Sequence, residues 1–310
     1  MRRVYGLLAV IVGTGLAIAV LLSTTLLTVA PRPVAAAPRA IQPVEAPAPA
    51  LAPPPAVAFH WNDATSSSDL GVAAESGIAV DIDTGRVLWD KDPVSRRAPA
   101  SLTKIMTTMV ALDHASLDQV LTVPVEAQPR PSWTQLGVTA GERFTVRELV
   151  EAEFVVSAND AAETLGRSIE PRTAFIADMN AKVAQLGLHD THFSNPTGLD
   201  AAGQYSTAYD LAALATWLVT HYPQAAELAT HRDLHLGASD AHRAYDAYSF
   251  NKMLFIYPGA TGLKTGQTGR AGGCLVTTAE RGGRRVVAVD LHSDVFFTDA
   301  VKILDYAFAR

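Results

Sequence analysis

The stretch Ala100-Ser101-Leu102-Thr103-Lys104 places a hydroxyl and an amine three residues apart, where a loop gives way to an apolar helical pattern. Apolar residues recur at helical intervals after it, beginning with Ile105 and Met109, so Ser101 is predicted in the first turn of a helix. Positions three apart share a helix face, and the Lys104 amine is therefore expected to reach the Ser101 hydroxyl. A helix N-terminus stabilises negative charge on the serine oxygen, and a buried lysine can lose its charge and act as a base. Taken alone, the same spacing also fits an ordinary helix cap followed by a surface lysine.

Composition bounds the fold and excludes one class of partner. The 310 residues, 48% of them hydrophobic, allow one large domain or two modest ones with ample core. The net charge of -6 argues against nucleic acid as a partner, because non-specific binding needs a basic surface. Cys274 is the only cysteine, so no intrachain disulfide is possible, and its apolar neighbours predict a buried small hydrophobe.

The N-terminal segment, residues 1–30, reads as a membrane anchor or a signal sequence. Arg2 and Arg3 precede an uncharged apolar run, which at ~1.5 Å per residue can cross a hydrocarbon core of ~30 Å. The basic residues favour a cytoplasmic N-terminus. A retained anchor is the preferred interpretation, and a signal peptide cleaved near Val34-Ala35-Ala36 is the alternative. Both place the rest of the chain outside the cytoplasm, either tethered at the outer face of the membrane or secreted.

Residues 31–69 are predicted to be a disordered linker rich in proline and alanine. Such a composition cannot bury enough apolar surface to fold, and it forms a semi-rigid tether. The folded domain is therefore expected to span residues 70–310.

Strand patterns stand at both ends of this domain, with helical patterns between them. Residues 77–82 and 86–89 alternate as a β-hairpin, and residues 274–278 and 286–291 form two late strands. Helices are predicted at 145–155, 161–169, 175–186, 209–219 and 299–308. Together these patterns predict an α/β (α+β) domain with one mainly antiparallel sheet, whose first hairpin pairs beside its last strands.

Two further triplets give the serine–lysine pair a chemical context. Ser157-Ala158-Asn159 lies at a junction between two predicted helices, and both polar side chains can reach one site only from a turn. Lys264-Thr265-Gly266 lies on a predicted strand, whose alternation sends Lys264 and Gly266 to one face and Thr265 to the other. Gly266 would let a substrate backbone approach closely. Each triplet is a weak signal alone, but all three in this order are not expected by chance.

In this order the three motifs resemble those of the penicillin-binding D-alanyl-D-alanine carboxypeptidases, within the serine β-lactamase and transpeptidase superfamily. The likeness covers roughly Ser76 to Phe308. The stretches that match sequence motifs typical of this family are residues 79–85, 99–107, 157–162, 192–199, 205–207, 251–252 and 262–266. The resemblance implies a β-lactamase/transpeptidase-like fold, in which a mainly antiparallel five-stranded sheet has flanking helices and an inserted, mainly helical region.

The resemblance also implies the catalytic roles. Ser101 would attack the carbonyl of a D-Ala-D-Ala bond, with Lys104 as the base that takes its proton. Ser157 would relay a proton toward the leaving amine, helped by Lys264, and Asn159 would hold the substrate amide and Lys104. No metal or organic cofactor is required. The implied partners are a peptidoglycan stem peptide ending in D-Ala-D-Ala and β-lactam antibiotics, which would acylate Ser101 and leave slowly.

Substrate binding is implied for the strand around Gly266. The backbone N–H groups of Ser101 and Gln267 would form the oxyanion hole, and Thr265 would contact the terminal carboxylate. Many family members carry an arginine that grips this carboxylate, and Phe296 stands at that position here. Arg270, close to the Lys-Thr-Gly triplet in sequence, is the hypothesised replacement.

Two other activities and one metal site compete with this interpretation. A class A β-lactamase would need a deacylating glutamate, and Glu170-Pro171 follows Ser157 too closely to supply it. A non-catalytic penicillin-binding sensor would not need both lysines. His231 and His235 have the spacing of helical metal ligands, but no glutamate sits between them in the metalloprotease pattern, and solvated loop histidines are expected.

Overall fold

The computed structural model of the protein describes residues 57–61, 69–128, 130 and 134–310. The predicted anchor or signal sequence at residues 1–30 lies outside the described residues, as does the predicted linker at 31–56 and 62–68. Among the helices in the described ranges, none has both the length and the apolar character needed to cross a membrane.

The described residues form strands and helices in the predicted order. The strands are β1 (Ser76–Asp81), β2 (Val87–Lys91), β3 (Val120–Thr122), β4 (Arg143–Thr145), β5 (Asp233–Leu236), β6 (Tyr245–Tyr248), β7 (Ala260–Thr268), β8 (Gly272–Arg281) and β9 (Arg284–Leu291). The α-helices are α1 (Lys104–His114), α2 (Val146–Val155), α3 (Asn159–Ser168), α4 (Arg172–Gln185), α5 (Ala208–His221), α6 (Pro223–Leu228), α7 (Met253–Ile256) and α8 (Phe296–Phe308).

A five-stranded antiparallel sheet in the order β2-β1-β9-β8-β7 organises the domain. The first strand pairs with the last, with Ile78 opposite Val289, so the predicted pairing of the first hairpin beside the late strands is confirmed. The predicted fold class, with a mainly antiparallel five-stranded sheet and flanking helices, is confirmed as well. Strand β7 forms one edge of the sheet and is therefore free to present its backbone to a ligand.

Both faces of the sheet are covered by helices, and alternation along the strands divides the core in two. On one face, Leu88 and Leu275 pack with Ile303 of α8. On the other face, Ile78 and Val289 belong to the larger cluster that contains α1 and α5. Each fully buried side chain of this size contributes roughly 1.5–3 kcal/mol of burial free energy, so the two clusters fix the sheet between its helical layers.

Helix α2 begins with a capping box, which the spacing of Thr145 and Glu148 in the sequence predicts. The Thr145 hydroxyl accepts from the backbone N–H of Glu148, whose carboxylate accepts from the Thr145 N–H at 2.7 Å. This region also contains two small hairpins, β3–β4 and β5–β6. The sequence predicts only one of their four strands, as a short strand or extended segment near residues 120–125 that contains β3. The short helices α6 and α7 were not predicted either.

Residues 57–61, which the composition assigned to the linker, pack against the domain. Phe59 is buried, and its N–H donates to the Tyr209 hydroxyl at 3.1 Å. His60 forms a β-bridge with Arg86, and the Trp61 ring stacks on Tyr209. The start predicted at residue 70 is therefore too late, because aromatic residues at the end of the proline-rich segment bury apolar surface that its average composition hides.

Candidate active site

Ser101 lies in a tight 3-10 turn, Ala100–Thr103, that leads directly into α1 at Lys104. The sequence predicted Ser101 in the first turn of an α-helix. The observed 3-10 turn likewise brings its hydroxyl to Lys104. Lys104 donates a 3.0 Å hydrogen bond from Nζ to Ser101 Oγ, so the predicted contact across three residues exists. The turn begins with Ala100 at φ 49°, a left-handed conformation that costs a non-glycine residue free energy and requires support from its surroundings.

Lys104 is fully buried and donates to three oxygens. Besides Ser101 Oγ, the acceptors are Asn159 Oδ1 and the Thr197 carbonyl, each at 2.7 Å. Burial lowers the pKa of Lys104 to about 7, because the ammonium ion loses its hydration, and the nearby Glu153 carboxylate partly opposes this effect. An amine with this pKa, in contact with a serine hydroxyl, can act as a general base near neutral pH.

Ser157 and Asn159 reach the site from the junction between α2 and α3. Ser157 has φ 57°, so the chain turns there, as the spacing of the two side chains requires. The Thr134 hydroxyl donates to the Ser157 carbonyl at 2.9 Å, and the Asn159 N–H donates to the Thr134 carbonyl at 2.8 Å. These two bonds to Thr134 stabilise the turn. Ser157 lines the cleft in front of Ser101.

The loop before α5 supplies the carbonyl that Lys104 binds. Asn195 Oδ1 accepts from the Thr197 N–H at 3.1 Å, the Thr197 hydroxyl at 2.8 Å and the Gly198 N–H at 2.8 Å. Gly198 has φ 85°, and a Cβ added there would lie 1.8 Å from the Ala100 carbonyl oxygen. This contact between the loop and the turn of Ser101 supports the left-handed Ala100. The sequence likeness included this loop but assigned it no role, because a backbone acceptor has no residue-type signature.

Strand β7 lies against the same turn. An ideal Cβ at Gly266 would lie 3.0 Å from the Ser101 backbone nitrogen, so only glycine lets the strand pass this closely. Lys264 is fully buried and donates from Nζ to the Thr265 carbonyl at 2.8 Å, while Thr265 and Gln267 line the cleft. Burial and the neighbouring Lys104 lower the pKa of Lys264 well below its ordinary value.

Glu153 is a buried carboxylate behind the site that the sequence patterns missed. It accepts from the Thr108 hydroxyl at 2.9 Å, and burial raises its pKa to about 8. Its second oxygen finds no hydrogen-bond donor in the described part of the chain. An acidic residue among the apolar positions of a helix is the one signal that points to it.

The cleft in front of Ser101 has a volume of about 750 Å³. It is lined by Ser101, Thr134, Ser157, Ser249, Phe250, Lys252, Thr265, Gly266, Gln267, Asp294, Val295, Phe296, Phe297 and Thr298. Phe296, which the sequence resemblance places at the position of the family's arginine, is one of these lining residues.

Arg270 does not line this cleft. The turn between β7 and β8 carries it into a neighbouring cavity with Arg96, Arg97 and Tyr205, and its N–H donates to Asp200 at 3.1 Å. Among the described residues, the cation that lines the cleft is Lys252, to which the sequence analysis assigned no role.

The residues on which the alternative interpretations rest do not line the cleft. His231 pairs with Glu151 and His235 with Asp246, so these histidines do not share a site. Glu170 lies 3.8 Å from His114, outside the cleft lining. Cys274 is buried as predicted, and burial raises the pKa of its thiol to about 12.

The chain is similar in sequence to proteins of one known family. A family described as D-alanyl-D-alanine carboxypeptidase matches residues 63–294. The D-alanyl-D-alanine carboxypeptidase DacF of Bacillus subtilis is 35% identical over 263 residues, which cover 82% of this chain and 67% of that protein. DacB2 of Mycobacterium tuberculosis is 32% identical over 244 residues, covering 76% of this chain and 82% of the relative.

Two solved structures share the fold. The penicillin-binding protein homologue Rv2911 of Mycobacterium tuberculosis superposes with a TM-score of 0.73 at 31% identity, covering 80% of this chain and 95% of that chain. The Streptomyces K15 DD-transpeptidase superposes with a TM-score of 0.71 at 30% identity, covering 77% of this chain and 98% of that chain. The chain belongs to the D-alanyl-D-alanine carboxypeptidase family of serine peptidases.

Proposed function

We propose that this protein removes the terminal D-alanine from peptidoglycan pentapeptides through an acyl-enzyme on Ser101. One observation carries the proposal: the Ser101 hydroxyl lies 3.0 Å from a fully buried lysine amine whose pKa burial lowers to about 7. A serine is a weak nucleophile unless an adjacent base takes its proton, and Lys104 is placed to do so.

The proposed reaction runs in two halves. Lys104 accepts the Ser101 proton as Oγ attacks the D-Ala carbonyl, and the backbone N–H groups of Ser101 and Gln267 bind the oxyanion. The C–N bond then breaks, and the leaving amine takes a proton relayed through Ser157, with Lys264 assisting. Water attacks the resulting ester and restores Ser101 and the shortened peptide. Each oxyanion donor is worth about 2.7–4 kcal/mol in such reactions.

The terminal carboxylate of the substrate would contact Thr265 and a cation. Lys252 is better placed than Arg270, because Lys252 lines the cleft and Arg270 lines the neighbouring cavity. β-Lactams carry a comparable acyl group and carboxylate, and they are expected to acylate Ser101 and leave slowly. The predicted N-terminal anchor would hold this domain near peptidoglycan at the outer face of the membrane, through the proline- and alanine-rich linker.

Mass spectrometry of a pentapeptide ending in D-Ala-D-Ala tests the proposal. Wild-type protein is expected to remove one alanine from the peptide, and Ser101→Ala is expected to leave it intact. Stoichiometric β-lactam labelling without alanine release would instead favour a non-catalytic penicillin sensor. Rapid β-lactam turnover would favour a β-lactamase.

A further inference from the structure

Two adjacent phenylalanines form one side of the cleft. Phe296 and Phe297, together called the aromatic wall, have ring centroids 4.4 Å apart and an interplanar angle of 39°. Both are partly exposed, and both line the cleft in front of Ser101. Partly exposed aromatic rings that face a reactive serine leave apolar surface available to a substrate.

The aromatic wall rests directly on the sheet next to the strand that carries the site. A Cβ added at Gly273 would come within 2.3 Å of Phe296 Cδ1, so the ring packs directly against the β8 backbone. Gly273 is the register partner of Gln267. The sheet thus supports the aromatic wall next to Gln267, whose backbone N–H is the proposed oxyanion donor.

The Thr265 side chain projects to the same face as the aromatic wall. Thr265 is opposite Leu275, and directly opposed residues of neighbouring strands project to one face. Leu275 packs in the cluster beneath α8, against which Phe296 and Phe297 also pack. Gly266, the next residue of β7, faces the turn of Ser101 instead.

The cleft beside the wall holds little charge. Among the lining residues of the described chain, the charged ones are Lys252 and Asp294, one of each sign. The Lys252 ammonium lies 5.6 Å from the centroid of the Phe297 ring, at the edge of the wall. If the terminal carboxylate of the substrate binds between Lys252 and Thr265, the side chain of the same C-terminal residue would lie against the aromatic rings.

We propose that the aromatic wall is a subsite for the side chain of the leaving residue, and that it favours D-amino acids with large apolar side chains over D-alanine. The inference rests on the proposed function, since it concerns the residue released when Ser101 is acylated. The methyl group of D-alanine leaves most of the two rings in water, whereas a D-phenylalanine ring covers them. In an apolar pocket a single methylene changes kcat/KM by about 10–200-fold.

The test compares two N-acylated dipeptides, one ending in D-Ala-D-Ala and one in D-Ala-D-Phe. The expected result is a kcat/KM roughly tenfold higher for the D-Phe substrate in wild-type protein. Phe297→Ala is expected to reduce the ratio of the two values to about one, and Phe296→Ala to act in the same direction. Phe255→Ala is the matched control, because Phe255 is an exposed phenylalanine of α7 outside the cleft lining. Labelling with a fluorescent penicillin confirms that each variant is folded.

Two results would overturn the subsite. One is release of D-alanine but not of D-phenylalanine by wild-type protein, and the other is a ratio that Phe297→Ala and Phe255→Ala change equally. Release of neither amino acid, with Ser101 still labelled by penicillin, would overturn the proposed function and the subsite together. The failure of the subsite alone is recognised by retained D-alanine release.

Discussion

Thr108, one helical turn after Lys104 in α1, donates a 2.9 Å hydrogen bond from its hydroxyl to the Glu153 carboxylate. Glu153 is fully buried, which raises its pKa to about 8, and once it is ionised its negative charge favours the ammonium form of Lys104. The two groups share one buried region, so the proton affinity of the base depends on a residue that does not touch the substrate.

We expect Glu153→Gln to leave the acidic limb of the acylation profile unchanged and to raise the acylation rate above about pH 8. Because the pKa of Glu153 is about 8, this group is protonated throughout the acidic limb, and a neutral amide replaces it there without a change of charge. Above pH 8 the wild-type carboxylate favours the ammonium form of Lys104, and the variant lacks this carboxylate. The measurement is the rate of labelling by a fluorescent penicillin between pH 5 and 9. Glu151→Gln, which neutralises a carboxylate of the same helix that pairs with His231, is the control and should follow wild type at every pH. An identical profile in Glu153→Gln and wild type would show that Glu153 has no influence on the base.

Acylation of wild-type protein should increase with pH through about 7. Below this value the Lys104 amine carries a proton and cannot accept another from Ser101, so the rate should fall about tenfold for each pH unit. Lys104→Arg keeps the positive charge but provides no base, so it should lower the rate by about 10²–10⁴-fold above pH 7 and by progressively less below it, where the wild-type lysine is protonated too. A labelling rate that stays constant from pH 5 to 9 would exclude Lys104 as the base.

Gly198→Ala should abolish labelling of Ser101. A methyl group at this position meets the Ala100 carbonyl at 1.8 Å, so the loop and the turn of Ser101 cannot both keep their places. Gly203→Ala is the matched control, since Gly203 also has a positive φ, 78°, but its nearest neighbour would be 3.5 Å away. The backbone strain is therefore similar, and only the clash differs. Penicillin labelling at equal rates in the two variants would contradict this role of Gly198.

Lys252→Ala should raise the KM for a peptide ending in D-Ala-D-Ala more than Arg270→Ala does. Lys252 lines the cleft, and loss of a charge-assisted contact with the terminal carboxylate should raise KM by about tenfold or more. Arg270 lies in the neighbouring cavity, so its removal should change KM by less than about threefold. The same peptide with an amidated C-terminus serves as the control, because its binding should not respond to Lys252→Ala. A larger effect of Arg270→Ala would support the assignment made from sequence proximity.

Local patterns were sufficient for the main sheet and for two local features of the site, the contact of Lys104 with Ser101 and the turn at Ser157. Alternation located the strands on both sides of Gly85 and the last two strands, because one face of each is buried against helices. Likewise, two polar side chains two residues apart required a turn, and Ser157 adopts one.

The remaining features depend on long-range contacts that residue type does not reveal. Glu153 is charged and helical, a combination that usually marks a solvated face, yet α1 and α2 bury it together. The Thr197 acceptor is a backbone carbonyl, so no side chain indicates it. Arg270 follows the Lys-Thr-Gly triplet closely, but the end of β7 carries it away from the cleft, and nearness in sequence was a poor guide to nearness in space.

The contact of Gly198 with Ala100 also has a temporal consequence. Thr197 lies 96 positions after Ser101, and its loop must arrive before the left-handed turn of the nucleophile is supported. A partly synthesised or unfolded chain therefore contains the serine and the lysine but no reactive pair. Penicillin is accordingly expected to label Ser101 only after these distant segments have come together. The time course of labelling would therefore report the folding of this domain.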